Sequence, residues 1–446
     1  MQTIMWGIAE KAKRMPKYRF RNLYGLLNEE MLKDCWGYLK KNAAVGVDQV
    51  HATEYEQNLD ENIHELVERL KRKSYRARLV RRHYIPKEGK EMRPLGILVV
   101  EDKLLQLAVT RILTAIYEVD FLPCSYGYRL NVGVKDAIKQ LDRELQFGPY
   151  GWIVEADVDN YFGSLSHEWL KRMLGERIDD GAFLRLIGKW LKAGVLDTDG
   201  TILHPEAGTP QGGNVSAVLA NIYLHYVLDL WFEKVFKQSC LGQAFLIRYA
   251  DDWVCAFEGR EEAERFYAEL GERLQKFELK LATGKTRVFR FHKIGIDGDP
   301  VGKANFDFLG FEFRWGKDRK GKPHLKRRTS RKKLRSSLQR FTEWCKKTRH
   351  QNNATRFAKL NQKLIGYYNH YGLTGNYASL QTFFDQSKRI LFKWLNRRSQ
   401  KRSYTWEGFE DLLKHYKIPT PRITDTNPAR TPGMMIVYAL DGSEYG

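Results

Sequence analysis

Residues 245–257, FLIRYADDWVCAF, constrain the fold more than any other stretch of this chain. Two apolar runs of strand length flank Asp251 and Asp252, so the pattern predicts a hairpin with both acids near its tip. Adjacent carboxylates repel, and an isolated Asp-Asp pair usually reads as a solvated turn. A third carboxylate on a neighbouring strand changes that reading. The segment WIVEAD, residues 152–157, is a short buried-strand candidate that ends in Asp157. Mg²⁺ takes oxygen ligands and keeps positions open for substrate phosphates. Two such ions stabilise the attacking and leaving oxygens of an in-line phosphoryl transfer. Three acids from two strand ends, in a basic protein, are what a nucleotidyl transferase requires.

The chain is strongly basic: 75 Lys and Arg stand against 54 Asp and Glu, a formal charge of +21 over 446 residues. An excess of that size speaks for a polyanionic partner rather than for any fold. Cys35, Cys124, Cys240, Cys255 and Cys345 are scattered with no C-x-x-C pair, which predicts neither a zinc site nor a disulfide framework. A reducing cytoplasm of a bacterial cell, in company with the nucleoid, is the expected setting. The opening MQTIMWGIAEKAKRMPKYRF lacks the apolar core of a signal peptide, and no stretch has the apolar length to span a membrane.

Periodicity divides the chain. In NIHELVERLKRKSY, Ile63, Leu66, Val67 and Leu70 fall at helical spacing. YIPKEGKEMRPLGIL reads as two extended runs about the turn Glu88-Gly89-Lys90, and a helix is expected from Lys103 to about Tyr117. Residues 324–350 carry eleven Lys and Arg with a single acid, Glu343, while Leu334, Leu338, Phe341 and Cys345 keep helical spacing. The whole stretch therefore reads as a basic amphipathic helix. Two further helices are expected, around Phe357, Leu360 and Leu364, and around Ile390, Leu391, Trp394 and Leu395. The boundary between a mixed body and a basic helical module is placed near 316.

Nine blocks, in order, carry a resemblance to a known family. They are GVDQV (46–50), YIPKEGKEMRPLGI (84–97), EDKLLQ (101–106), CSYGYR (124–129), EADVDNYF (155–162), GTPQGGNVS (208–216), YADD (249–252), KT (285–286) and FLGF (308–311). The chain resembles the reverse transcriptases encoded by bacterial group II introns, and their intron-free relatives, over some 400 of its 446 residues. NQKLIGYYNHYG and FKWLNRR look like that family's thumb, also called the maturase or X domain. The resemblance implies an α+β right-hand polymerase followed by an all-α thumb. Residues 1–75 would be a helical extension of the fingers, 76–315 fingers and palm, 316–416 the basic helical thumb, and 417–446 an irregular tail.

Carried over by position, the resemblance makes Asp157, Asp251 and Asp252 the metal-binding triad, with the carbonyl of Val158 completing one metal shell. Lys87 and Arg93 would hold the incoming triphosphate, as forked and point charges suit phosphate oxygens. Gln211 would pack beside the nascent base pair, in a loop whose glycines let backbone approach nucleic acid. Phe162 would be the aromatic gate under the nucleotide sugar, and Lys285 would protonate the leaving pyrophosphate. Arg327, Arg328, Arg331, Lys332, Lys333, Arg335, Arg397 and Arg398 would grip nucleic acid from the thumb. An A-form duplex is read largely through shape, phosphates and 2′-hydroxyls, so outward Arg and Lys on such a module would suit it.

The implied activity is RNA-directed DNA synthesis with two Mg²⁺ ions, Mn²⁺ being able to substitute. Its partners would be an RNA template, a DNA primer, their RNA–DNA hybrid, deoxynucleoside triphosphates and, in a maturase, intron RNA. Two alternatives keep part of this: a free-standing host enzyme in DNA repair or phage defence, and a non-enzymatic splicing cofactor. Three positions depart from the family pattern: Gly163 where a second Asp is common, Ala217 where Pro is common, and Gly284 before Lys285. No Cys- and His-bearing nuclease module follows the thumb, so an enzyme of this make-up would start from an existing nick, a replication fork or a supplied primer.

Overall fold

The computed structural model describes residues 2–86, 92–293, 304–398 and 403–425. They form two compact units, one of residues 2–133 and 154–288, the other of 134–153 and 289–425. Among them no helix is long and apolar enough to cross a membrane.

In the first unit, helix Leu59–Lys71 buries Ile63, Leu66, Val67 and Leu70, the stripe that the spacing predicts. Helix Val100–Tyr117 is buried on most of its surface, polar Asp102, Gln106 and Thr110 included. The strands in chain order are β1 (Val80–Pro86), β2 (Met92–Ile97), β3 (Trp152–Ala156), β4 (Val195–Leu196), β5 (Ile202–Leu203), β6 (Ala244–Tyr249), β7 (Asp252–Phe257) and β8 (Arg287–Arg290). One sheet has the order β2-β1-β4-β5, the other β6-β7-β3-β8. β1 and β2 pair antiparallel from Arg81↔Ile97 to Pro86↔Met92. The expected turn between them, with Lys87, lies outside the described residues. β6 and β7 pair antiparallel from Ala244↔Phe257 to Tyr249↔Asp252. Both strands are buried nearly throughout, which is why they read as unbroken apolar runs instead of alternating ones. The result is a mixed α+β architecture whose sheets are dominated by antiparallel pairs.

The second unit holds a three-stranded antiparallel sheet: β9 (Asn305–Phe308), β10 (Phe311–Lys317) and β11 (Pro323–Thr329), in the order β11-β10-β9. This corrects the sequence reading of 324–350 as one helix. PHLKRRT is an edge strand, and the helix begins at Arg331, after Ser330 caps it by accepting the Lys333 N–H at 3.3 Å. The physical reason is the partner. FEFRWGK buries Phe311, Glu312 and Phe313 in succession and needs a second strand for its backbone groups, so the cationic run after it is drawn into the ladder. The boundary drawn near 316 thus falls inside β10. Helices Asn353–Tyr371 and Tyr377–Leu395 match the two expected apolar stripes. Helix Trp406–His415 follows, and residues 417–425 run without helix or strand. That last stretch is pinned all the same: Tyr368 Oη donates to the Pro419 carbonyl at 3.2 Å, and the Thr424 N–H donates to that of Gly372 at 2.6 Å.

Candidate active site

The β6–β7 hairpin closes through a two-residue loop, Ala250-Asp251, with Asp252 opening β7. Ala250 takes a φ of 56°, a left-handed value that residues with a Cβ seldom adopt. β7 lies between β6 and β3, so the end of β3, where Asp157 follows Ala156, belongs to the strand next to the one that Asp252 opens. Asp251 is half-buried. Burial raises its carboxyl above the ordinary range, the charge of Asp157 adds to that, and Arg93 and Arg248 oppose it. Asp157 and Asp251 therefore feel one another, and Arg93, exposed on β2, reaches the same field. Lys285 Nζ stands 2.7 Å from Asp157 Oδ2, brought there by a turn in which its N–H donates to the Ala282 carbonyl at 2.9 Å.

Val158 forms an antiparallel bridge with Leu281. The hydrogen bonds of that bridge run from the Ala282 N–H to the Asp157 carbonyl at 2.8 Å, and from the Asp159 N–H to the Lys280 carbonyl at 2.9 Å. Val158 is thus in a non-hydrogen-bonded position, and its own N–H and C=O point to the other edge of the strand. With β8 on one side of β3, that other edge is the one toward β7.

Among the described residues, no three His, Cys, Asp or Glu side chains converge tightly enough to enclose a metal ion. The donor chemistry nevertheless fits a hard divalent cation. The available groups are carboxylate oxygens and one main-chain carbonyl, and a cation is what a desolvated Asp251 beside Asp157 lacks. Lys285 supplies part of that positive charge to Asp157 now.

The GTPQGG loop is fastened to β2 and to the turn after β3. The Gly96 N–H donates to the Gln211 carbonyl at 2.6 Å, and the Thr209 N–H to that of Phe162 at 2.8 Å. Gly212 has a φ of 103°, and a Cβ there would collide with the Gly96 carbonyl and Leu95. At this position, the freedom of glycine is used toward the protein's own strand. Behind the loop, Thr209 Oγ1 and Ser216 Oγ share a hydrogen bond of 2.7 Å, and Asn214 Nδ2 donates to the Lys103 carbonyl at 2.7 Å. Tyr161 is buried, with its Oη donating to the Ala220 carbonyl at 2.6 Å, so Phe162, half-buried beside it, is the ring left to face outward. Gly163 leaves room for the Asn160 amide, which a Cβ there would strike. The structure therefore gathers Asp157, Val158, Phe162, Gln211, Asp251, Asp252, Lys285 and Arg93 on adjoining elements of one unit.

The basic residues of the second unit divide. Arg331 and Arg335 are exposed on helix Arg331–Thr348, as is Lys332, with Lys333 half-buried. Arg327 and Arg328, expected to point outward, do not. Arg327 is only 11% exposed, pairs with Asp142 at 2.8 Å and donates to the Thr374 carbonyl; Arg328 pairs with Glu312 at 2.5 Å. Arg397 lies over the Trp394 ring at 5.6 Å, and Arg398 donates to Asn353 Oδ1 and to the Gln351 carbonyl.

One set of residues escaped the sequence reading altogether. Arg248, two residues before Ala250, is fully buried with Asp229, and Asn221 and Ser125 are buried around them. A charged residue inside an apolar strand run was the only available signal.

Residues 85–313, just over half the chain, match the reverse transcriptase (RNA-dependent DNA polymerase) family. The chain belongs to that family. Within it, the chain is similar to the group II intron-encoded protein LtrA of Lactococcus lactis, 42% identical over 38% of this chain and 29% of that protein. It is also similar to the protein YkfC of Escherichia coli K12, 35% identical over 40% of this chain and 48% of that one. A 91 kDa protein in the cob intron of Schizosaccharomyces pombe is 32% identical over 51% of this chain and 28% of its own length. The chain thus spans less than half the length of these curated relatives.

Proposed function

We propose that this chain is an RNA-directed DNA polymerase that extends a DNA primer on an RNA template with deoxynucleoside triphosphates. The observation that carries the reading is the meeting of Asp157 and Asp251 at neighbouring strand ends, close enough to perturb one another, with Arg93 in the same field. On this reading residues 76–315 supply the fingers and palm of a right hand, and residues 316–416 supply the thumb. Asp157, Asp251, Asp252 and the Val158 carbonyl would hold two Mg²⁺ ions, with Mn²⁺ as a substitute. Such ions neutralise phosphate charge and polarise the reacting oxygens. Arg93, joined by Lys87, neutralises the triphosphate. Gln211 sits on a loop locked to β2 and bounds the nascent base pair from one side. Phe162 excludes a 2′-hydroxyl from the sugar site. Lys285, now on Asp157, is placed to give a proton to the leaving pyrophosphate once the acid is otherwise neutralised.

Intron RNA is a second partner on this reading, because two of the relatives above are named for introns. A free-standing host role draws no support from those names, and an exclusively non-enzymatic role leaves the triad without a use.

Primer extension on a primed RNA with Mg²⁺ tests the reading. The parent should extend, and Asp251→Asn should bind the same hybrid without extending it. A parent that binds primed RNA to saturation yet adds no nucleotide with Mg²⁺ or Mn²⁺ would overturn it.

A further inference from the structure

Arg248 never meets solvent, so it cannot touch substrate, yet its guanidinium is fully committed. An arginine side chain has five N–H donors. Nε and one Nη2 hydrogen go to the two carboxylate oxygens of Asp229, at 2.7 and 2.6 Å. The other Nη2 hydrogen goes to Ser125 Oγ at 2.7 Å. Nη1 donates to Asn221 Oδ1 and to the Ala250 carbonyl, both at 2.9 Å. No donor is left over.

An ordinary core ion pair would need only the Asp229 bonds. The Ala250 bond is different, since that carbonyl belongs to the peptide joining Ala250 to Asp251. The residue is already in a left-handed conformation, which a non-glycine keeps only where its surroundings hold it there. A second restraint bears on the preceding peptide: Gly127 packs flush on the loop, and a Cβ on it would overlap the Ala250 nitrogen. Asn221 ties the two restraints together, because its Nδ2 donates to the Gly127 carbonyl at 2.5 Å. The backbone of Arg248 is laced in as well, its N–H donating to the Cys124 carbonyl at 2.7 Å and its carbonyl accepting from the Tyr126 N–H at 2.8 Å. Asp229, the anchor of the whole array, ends a π-helical turn, His225–Asp229, a distortion often found near functional sites.

We propose that Arg248, seated on Asp229, is a positioning residue: it sets the Ala250–Asp251 peptide and so aims the Asp251 carboxylate at its metal. The inference rests on the polymerase reading above. Lysine, with three donors on one nitrogen, can keep a charge beside Asp229 but cannot span all five acceptors.

The test compares the parent with Arg248→Lys and with Asp229→Asn, which keeps the arginine and weakens its anchor. Mn²⁺ binding is read by electron paramagnetic resonance on the enzyme–hybrid complex without nucleotide, and primer extension is read separately. Leu270→Ala, at a buried residue of helix Arg260–Lys276 that makes none of these bonds, serves as a purely destabilised control. Arg248→Lys should lose Mn²⁺ affinity and kcat on the order of 10- to 100-fold, with the KM for nucleotide little changed. Asp229→Asn should shift the same way by less, and Leu270→Ala should lower Tm with parental Mn²⁺ affinity. Folded Arg248 and Asp229 variants with parental Mn²⁺ affinity and kcat would sink the proposal while the polymerase reading stood. A parent that extends no primer would remove the polymerase reading and this inference together.

Discussion

The tip of the β6–β7 hairpin and the face of helix Arg331–Thr348 both depend on arginine, in opposite ways. Arg248 is wholly inside, with each donor matched and a full counter-charge on Asp229. Arg331 and Arg335 lie in water. Burying a charge costs several kcal/mol unless it is paired and hydrogen-bonded, so the first arrangement persists only because it is complete. An exposed cation carries no such debt and is available to a phosphate. Arg327 and Arg328 show that position, not composition, decides between the two: they sit in the same basic run yet are taken up by Asp142 and Glu312. The charge of +21 is therefore no measure of the binding surface.

If the comparison is right, catalysis and grip can be lost separately. Asp157→Ala or Asp252→Ala should abolish extension and leave RNA–DNA hybrid affinity near that of the parent, since these acids repel the hybrid. Changing Arg331, Lys332 and Arg335 together to Ala should do the reverse, weakening binding while kcat at saturating hybrid stays within a few-fold. Each lost phosphate contact should flatten the salt dependence of log K by up to about 0.9 on the B-DNA scale. Filter binding from low to moderate salt, beside single-turnover extension, separates the outcomes. Arg327→Ala should behave differently again, lowering Tm without changing the salt slope.

A smaller effect is expected at the sugar gate. Phe162→Ala should still extend with deoxynucleotides and gain ribonucleotide incorporation, because the ring discriminates by clash and not by a bond. The ratio of kcat/KM for the two sugars should move by about tenfold to a hundredfold, the worth of about 1–3 kcal/mol in a shaped pocket. An unchanged ratio in an active variant would make Phe162 ordinary core. Tyr161 is a poor substitute, as it is buried and tied to the Ala220 carbonyl.

What the sequence disclosed follows the same division. The hairpin was legible as two unbroken apolar runs about a pair of acids, and the helix over Leu59–Lys71 and the two later helices as apolar stripes of helical period. β11 was not, since PHLKRRT has one strongly apolar residue, Leu325, and its strand state comes from its pairing with β10. The acids near the hairpin tip were legible as a pattern with Asp157. The clamp beneath them was not, because Ser125, Asn221, Asp229 and Arg248 are spread over four segments and converge only on folding.

The smallest effect concerns two histidines, His225, buried in the first unit, and His370, half-buried in the second. Burial lowers His225 to about 4, with Asp229 opposing and Arg248 and Arg129 assisting. Burial lowers His370 to about 4 as well, but its charged neighbours, Lys135 and Lys333, both push the same way. Each imidazole is therefore neutral in the folded chain and titrates near its ordinary 6.5 when unfolded. The sign follows: stability from each is complete above about pH 6.5 and is lost as pH falls toward 4. At pH 5 each site should have cost about 2 kcal/mol relative to pH 7, at 1.36 kcal/mol per unit. Salt then distinguishes the regions. Screening two like charges should raise the His370 pKa by roughly a few tenths in 0.5 M salt, while at His225 the screening of Asp229 offsets part of the screening of Arg248 and Arg129 and the shift should be smaller, though burial limits both. Histidine ¹³C-labelled NMR titration at low and high salt reads the two sites individually. Equal movement at both would mean that the second unit's basic field does not reach its interior, and that only its outer face feels the excess charge.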